Sequence, residues 1–115
     1  MSVRAKPAGR LYFGVESIDA LHELRDLVGK TKRGRYLYGF SDDQLVAVWW
    51  GDQFQITHGL GRVYTGIFAV DQLRNNEAYE ELLLSLRWTS RSGWTSPLHV
   101  LALTALDGIT AVEMT

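Results

Sequence analysis

Two segments with alternating side chains flank the dipeptide Gly51-Asp52, and together they predict a β-hairpin. If these two residues form the whole turn, Trp50 lies opposite Gln53. One face of the hairpin then carries Leu45, Ala47, Trp49, Phe54, Ile56 and His58. The other face is mixed and carries Val46, Val48, Trp50, Gln53, Gln55 and Thr57. We expect the first face in the core, because a slip of one residue would bury the polar side chains of the second.

The rest of the chain predicts two helices and several further short strands. Ser17 is a candidate N-cap for the first helix, Asn75 or Asn76 for the second, and Gly29 is expected to end the first in a left-handed conformation. The predicted elements are strands over 11–15, 36–40 and 62–70, helices over 18–28 and 77–87, and a closing hairpin with strands 98–106 and 109–114. This order predicts an α+β fold, a mostly antiparallel sheet of about six to eight strands with two helices on one face.

Length, charge and cysteine content narrow the class of protein. A chain of 115 residues fits one domain, and we predict a flexible arm over 1–9 followed by a single domain over 10–115. The net charge of −1 argues against a dedicated DNA-binding protein. The absence of cysteine excludes disulfides and a cysteine nucleophile, and it fits a cytoplasmic protein. No apolar run approaches the roughly 20 residues that cross a bilayer, so no membrane association is predicted.

The segment 87–97, RWTSRSGWTSP, places tryptophan and arginine in a run of small and polar residues. Because these two residue types dominate the centres of protein interfaces, the segment predicts a surface that binds a partner protein. The predicted contact residues are Arg87, Trp88, Arg91 and Trp94, with Trp50 added from the mixed face of the hairpin. The alternative is that Trp88 continues the buried stripe of the helix and that Trp94 covers the edge of the core.

A second candidate surface follows the first predicted helix. It combines four cations with two aromatic residues: Lys30, Lys32, Arg33, Arg35, Tyr36 and Tyr38. Cations beside aromatic rings are typical of single-stranded nucleic-acid binding, through phosphate contacts and base stacking. The alternative is a solvated loop, in which the cations interact favourably with the end of the helix.

Catalytic motifs are sparse. Gly29-Lys30-Thr31 resembles the end of a phosphate-binding loop, but a helix precedes it and the first glycine of that motif is missing. His58 and His99 both lie at the ends of predicted core-facing rows, so an enzyme with a pocket between them is a further hypothesis. The alternative is two separate, hydrogen-bonded histidines at the rim of the core. We predict no catalytic residue, no metal ligand and no cofactor.

These observations favour a small binding protein over an enzyme. Chains of this kind serve as inhibitors, immunity or antitoxin proteins, or phage accessory proteins, and they act by covering the working surface of a protein partner. Single-stranded nucleic acid is the alternative partner. A homodimer is also expected, through the edge of the closing hairpin, because its strands and turn carry only Asp107 and Glu113 as charges.

Overall fold

The computed structural model describes residues 10–30, 36–57, 65–89 and 102–114, and within them the chain forms one antiparallel sheet. In chain order the elements are β1 (Arg10–Val15), α1 (Ile18–Gly29), β2 (Tyr36–Ser41), β3 (Gln44–Trp50), β4 (Gln53–Ile56), β5 (Gly66–Ala69), a 3-10 turn (Val70–Gln72), α2 (Glu77–Leu84), β6 (Arg87–Thr89) and β7 (Ile109–Met114). The seven strands lie in the order β5-β4-β3-β2-β6-β1-β7, and the α+β fold is confirmed. The predicted arm over 1–9 lies outside the described residues.

The short strand β6 lies inside the sheet, between β1 and β2. Both neighbours pair with it antiparallel, so β1 and β2 run parallel to each other and α1 connects them. The prediction of a helix to residue 87 is wrong, because α2 ends at Leu84 and the chain then becomes extended. The alternation of Trp88, directed to the core, with Arg87 and Thr89, directed away from it, is the strand pattern that was missed.

Both helices cover the same face of the sheet and begin where side-chain caps allow it. The Ser17 hydroxyl accepts a hydrogen bond from the Ala20 backbone N–H at 3.1 Å. The Asn76 side chain accepts from the backbone N–H groups of Ala78 and Tyr79, so the predicted caps are confirmed. The prediction for Gly29 is wrong: it is the last helical residue, and the chain leaves α1 at Lys30 with right-handed geometry.

The central hairpin has the predicted register, with Trp50 opposite Gln53 and Ala47 opposite Ile56. A β-bulge alters β3 beyond that point, because the pairing with β2 shifts between Gly39 and Phe40. Val46 and Ala47 are both buried as a result, and Leu45 pairs with Phe40 on the face away from the helices. The assignment of Val46 to the outer face and of Leu45 to the core face is therefore wrong.

The predicted closing hairpin does not form. Residues 102–104 are helical, and β7 pairs along its length with β1. The turn at Asp107-Gly108 is retained, with Gly108 at φ 78° and its carbonyl accepting from the Glu16 backbone N–H at 3.0 Å. Leu103 is buried in the core. Local strand propensity over 98–106 is thus overridden by burial in the part that the structure describes, while 98–101 lie outside it.

None of the helices in the described ranges combines the length and apolarity that crossing a membrane requires.

Candidate binding surface

Trp88 lies in the core. Its side chain is 0 % exposed, its indole N–H donates to the Leu83 carbonyl at 3.0 Å, and its ring meets that of Trp49 edge-on at 6.1 Å. Gly39 lies opposite it on β2 and leaves the space that the ring occupies. The assignment of Trp88 to an exposed contact surface is therefore wrong, because strand alternation directs the ring to the helices.

Arg87 lies on the other side of the sheet from Trp88. Its guanidinium sits 5.7 Å from the centre of the Tyr12 ring, a cation–π contact, and Tyr12 is itself 6 % exposed and packed edge-on against Phe40. Arg87 therefore does not form a surface together with Trp88. Arg91 and Trp94 lie outside the described residues.

The face of the sheet away from the helices carries a surface that we name the aromatic patch. It consists of two rows that run across β2, β3, β4 and β5. The rows are Tyr36, Trp50, Gln53 and Ala69, and Tyr38, Val48, Gln55 and Ile67. None of the eight side chains carries a charge.

The large hydrophobic side chains that are exposed lie on this face of the sheet. The large hydrophobic side chains exposed in the described part of the chain are Tyr36 at 41 %, Ile67 at 57 % and Val112 at 46 %. Strand alternation places all three on the face away from the helices, and the first two belong to the aromatic patch. Contiguous apolar surfaces on a folded protein commonly mark sites that bind a protein or another ligand.

Three rings of the aromatic patch lie nearly parallel. The centres of Tyr36 and Tyr38 are 6.4 Å apart at an interplanar angle of 22°, and those of Tyr36 and Trp50 are 6.0 Å apart at 29°. The structure thus joins Trp50, predicted for a protein contact, to the two tyrosines predicted for nucleic acid. The sequence placed these residues on separate candidate surfaces, because the pairing of β2 with β3 was not predicted.

The cationic part of the second candidate surface is described at one residue only. Lys30 is exposed at the end of α1, whereas Lys32, Arg33 and Arg35 lie outside the described residues. Lys30 borders an open depression of about 330 Å³ that is also lined by Arg25, Asp26, Gly29, Gly51 and Asp52. Arg25 is already engaged there, since it donates to the Gly51 carbonyl at 2.8 Å and pairs with Asp26.

The His22 side chain, on α1, is half-buried. Its ring packs edge-on against Trp49 at 5.4 Å, and neither His22 Nε2 nor Trp49 Nε1 has a hydrogen-bond partner within the described structure. Burial lowers the pKa of His22, and the nearby charges of Arg25 and Arg74 lower it further. The surroundings of His22 therefore disfavour the protonated imidazole relative to a free histidine side chain.

The hypothesis of a pocket between His58 and His99 stays a prediction, because both residues lie outside the described ranges. Over those ranges, no group of three or more histidine, aspartate and glutamate side chains is arranged to hold a metal ion. Among the described residues, the aromatic patch is therefore the strongest candidate for a binding site. No protein-family model, no curated protein and no solved structure matches the chain.

Proposed function

We propose that this chain is a small binding protein that docks a partner protein on the aromatic patch. The observation that carries the proposal is the composition of the patch: three aligned rings and an exposed Ile67 among eight side chains without a charge. The centres of protein interfaces are depleted in charged residues and enriched in aromatic ones. Trp50 and Tyr36 are of the residue types that most often supply binding energy there.

Rigidity of the patch supports the same proposal. Its residues lie on paired strands, and the rings of Tyr36 and Trp50 contact each other before any partner binds. Little side-chain entropy is then lost on association.

The mechanism we propose is steric, in which the sheet covers a working surface of its partner, as inhibitors, immunity or antitoxin proteins and phage accessory proteins do. A cytoplasmic location belongs to the proposal and is supported by the absence of cysteine.

Substitution of the patch is expected to abolish partner capture without unfolding the protein. We expect Trp50→Ala to weaken binding about 30-fold or more, since a hot-spot tryptophan contributes about 2 kcal/mol or more. The measurement compares proteins retained from a lysate of the source cells by immobilised wild type and variant, followed by titration of the retained protein. Glu23→Ala, on the exposed side of α1, is the matched control and should retain full binding. Equal binding by the Trp50 variant contradicts the proposal.

Single-stranded nucleic acid is the second candidate partner, favoured by the near-parallel rings of Tyr36, Tyr38 and Trp50. Stacking of a base on an aromatic ring contributes about 1–3 kcal/mol, independent of sequence. Lys32, Arg33 and Arg35 immediately precede Tyr36 in the sequence, so cations for phosphate contacts are covalently close to the rings. The absence of charge within the aromatic patch itself ranks this candidate second.

This second function predicts salt-dependent binding of short, labelled single strands, measured by fluorescence anisotropy. The double substitution Lys32→Ala with Arg33→Ala is expected to reduce affinity at low salt and to flatten the salt dependence. Tyr36→Ala is expected to reduce affinity at every salt concentration. Arg74→Ala removes an exposed cation that pairs with Asp19 and serves as the control for charge alone. No binding by the wild type at low salt excludes this function.

A further inference from the structure

We infer that the partner seated on the aromatic patch is a second copy of this chain, packed face to face about a two-fold axis that runs along the strands between β3 and β4. The inference rests on the proposed function, because it assumes that the patch docks a protein. It adds the identity of that protein and the geometry of the contact.

The two halves of the aromatic patch are complementary to each other. The half on β2 and β3 carries the rings of Tyr36, Tyr38 and Trp50, whereas the half on β4 and β5 carries amides and smaller side chains. A two-fold axis between the halves brings β2 of one copy over β5 of the other and β3 over β4. Each bulky side chain then meets a smaller one, which an isologous interface requires of a single surface.

The register fixes which side chains meet. Tyr38 faces Ile67 of the second copy, and Tyr36 faces Ala69, because each pair occupies the same row at opposite ends. Trp50 faces Gln53, so that an indole N–H meets an amide oxygen. Two sheets packed in this way form a sandwich with a spacing of about 10 Å, which these side chains fill.

The absence of charge on the aromatic patch favours contact with a second copy over contact with a highly charged partner. Across a two-fold axis every charged residue near the axis approaches its own copy, and like charges in contact repel. The eight residues of the patch contain no charge, so the contact carries no such penalty. A nucleic acid would gain base stacking from the rings of the aromatic patch but no phosphate contact, and phosphate contacts supply most of its affinity.

Area indicates that the dimer is weak. Four strands at about 4.8 Å spacing, with the about 13 Å length of the four-residue strands β4 and β5, cover roughly 250 Å² on each copy. The total of roughly 500 Å² lies well below the 1,200–2,000 Å² of stable complexes, at the size of weak, transient contacts. We therefore expect a concentration-dependent equilibrium with a dissociation constant on the order of 100 µM.

Sedimentation velocity of the full chain from about 1 to 500 µM tests the inference, and the expected result is a shift from monomer to dimer over that range. Tyr38→Glu and Ile67→Lys should each abolish the shift. An equimolar mixture of the two variants should restore it, because one mixed pair brings the new carboxylate to the new ammonium while the other contact stays native. Thermal unfolding confirms that both variants fold, and Ile67, at 57 % exposed, tolerates substitution.

Three results overturn the inference: a monomeric wild type throughout the range, a dimer that survives both single substitutions, or a mixture that stays monomeric. A monomeric wild type that still loses its captured protein on Trp50→Ala refutes only the second copy and leaves the proposed function standing. A wild type that dimerises while Trp50→Ala retains its captured protein refutes a heterologous partner at the patch, and the second copy stands alone.

Discussion

Replacing Trp88 with alanine is expected to lower the free energy of unfolding by about 3–5 kcal/mol, the usual cost of a large cavity at a buried aromatic position. The ring is fully buried between the sheet and the helices, against Trp49 and over Gly39. Its removal also leaves the Leu83 carbonyl without the indole N–H that it accepts. Denaturant unfolding, followed by circular dichroism, measures the change through the midpoint at constant slope.

Trp50→Ala is the matched control for this substitution, since Trp50 lies on the opposite face and is only partly buried. We expect it to cost about 1 kcal/mol or less, because side chains away from the core contribute little to folding. Trp88 on β6 and Trp50 on β3 thus compare the same residue type on the two faces of one sheet. A loss at Trp88 no larger than that at Trp50 would contradict the described burial.

Replacing Gly39 with valine is expected to destabilise the protein by about 1–3 kcal/mol through overpacking. A Cβ atom at this position would lie 2.8 Å from Leu86 Cδ1 and 3.0 Å from two ring atoms of Trp88. Both neighbours are buried, so neither can move into solvent to relieve the contact. Denaturant unfolding, followed by circular dichroism as for Trp88→Ala, measures the loss in the free energy of unfolding.

Gly14→Val provides the control, because it places the same side chain on another strand of the same sheet, β1. A Cβ at Gly14 would meet only the Thr110 carbonyl oxygen, at 4.0 Å. Valine is a good strand residue, so this variant should be neutral or slightly more stable than the wild type. Equal effects at the two glycines would show that Trp88 does not lie over Gly39.

Local rules predicted the elements whose determinants lie within a few residues. Ser17 and Asn76 cap the helices because a side-chain oxygen reaches a backbone N–H two or three positions away. The register next to Gly51-Asp52, from Trp50 opposite Gln53 to Ala47 opposite Ile56, follows from the turn and was predicted correctly. The α+β fold is likewise a consequence of how helices and hairpins follow one another.

The bulge in β3 shows where such rules fail. Without it, the pairing of Ser41 with Gln44 would continue to Tyr36 opposite Trp49, and the tyrosine would share a face with a buried ring. The extra residue shifts the register, so that Tyr36 lies opposite Trp50. The aromatic patch exists because of this shift, and no residue type near Val46 predicts a bulge there.

The sequence by itself determined the caps, the central hairpin and the general architecture, because hydrogen bonds and side-chain alternation act between near neighbours. Only the tertiary structure decided that Trp88 is core, that β7 pairs with β1, and that Trp50 joins Tyr36 and Tyr38 on one surface. Those outcomes depend on which distant strands become adjacent, and that choice minimises exposed apolar area over the whole molecule.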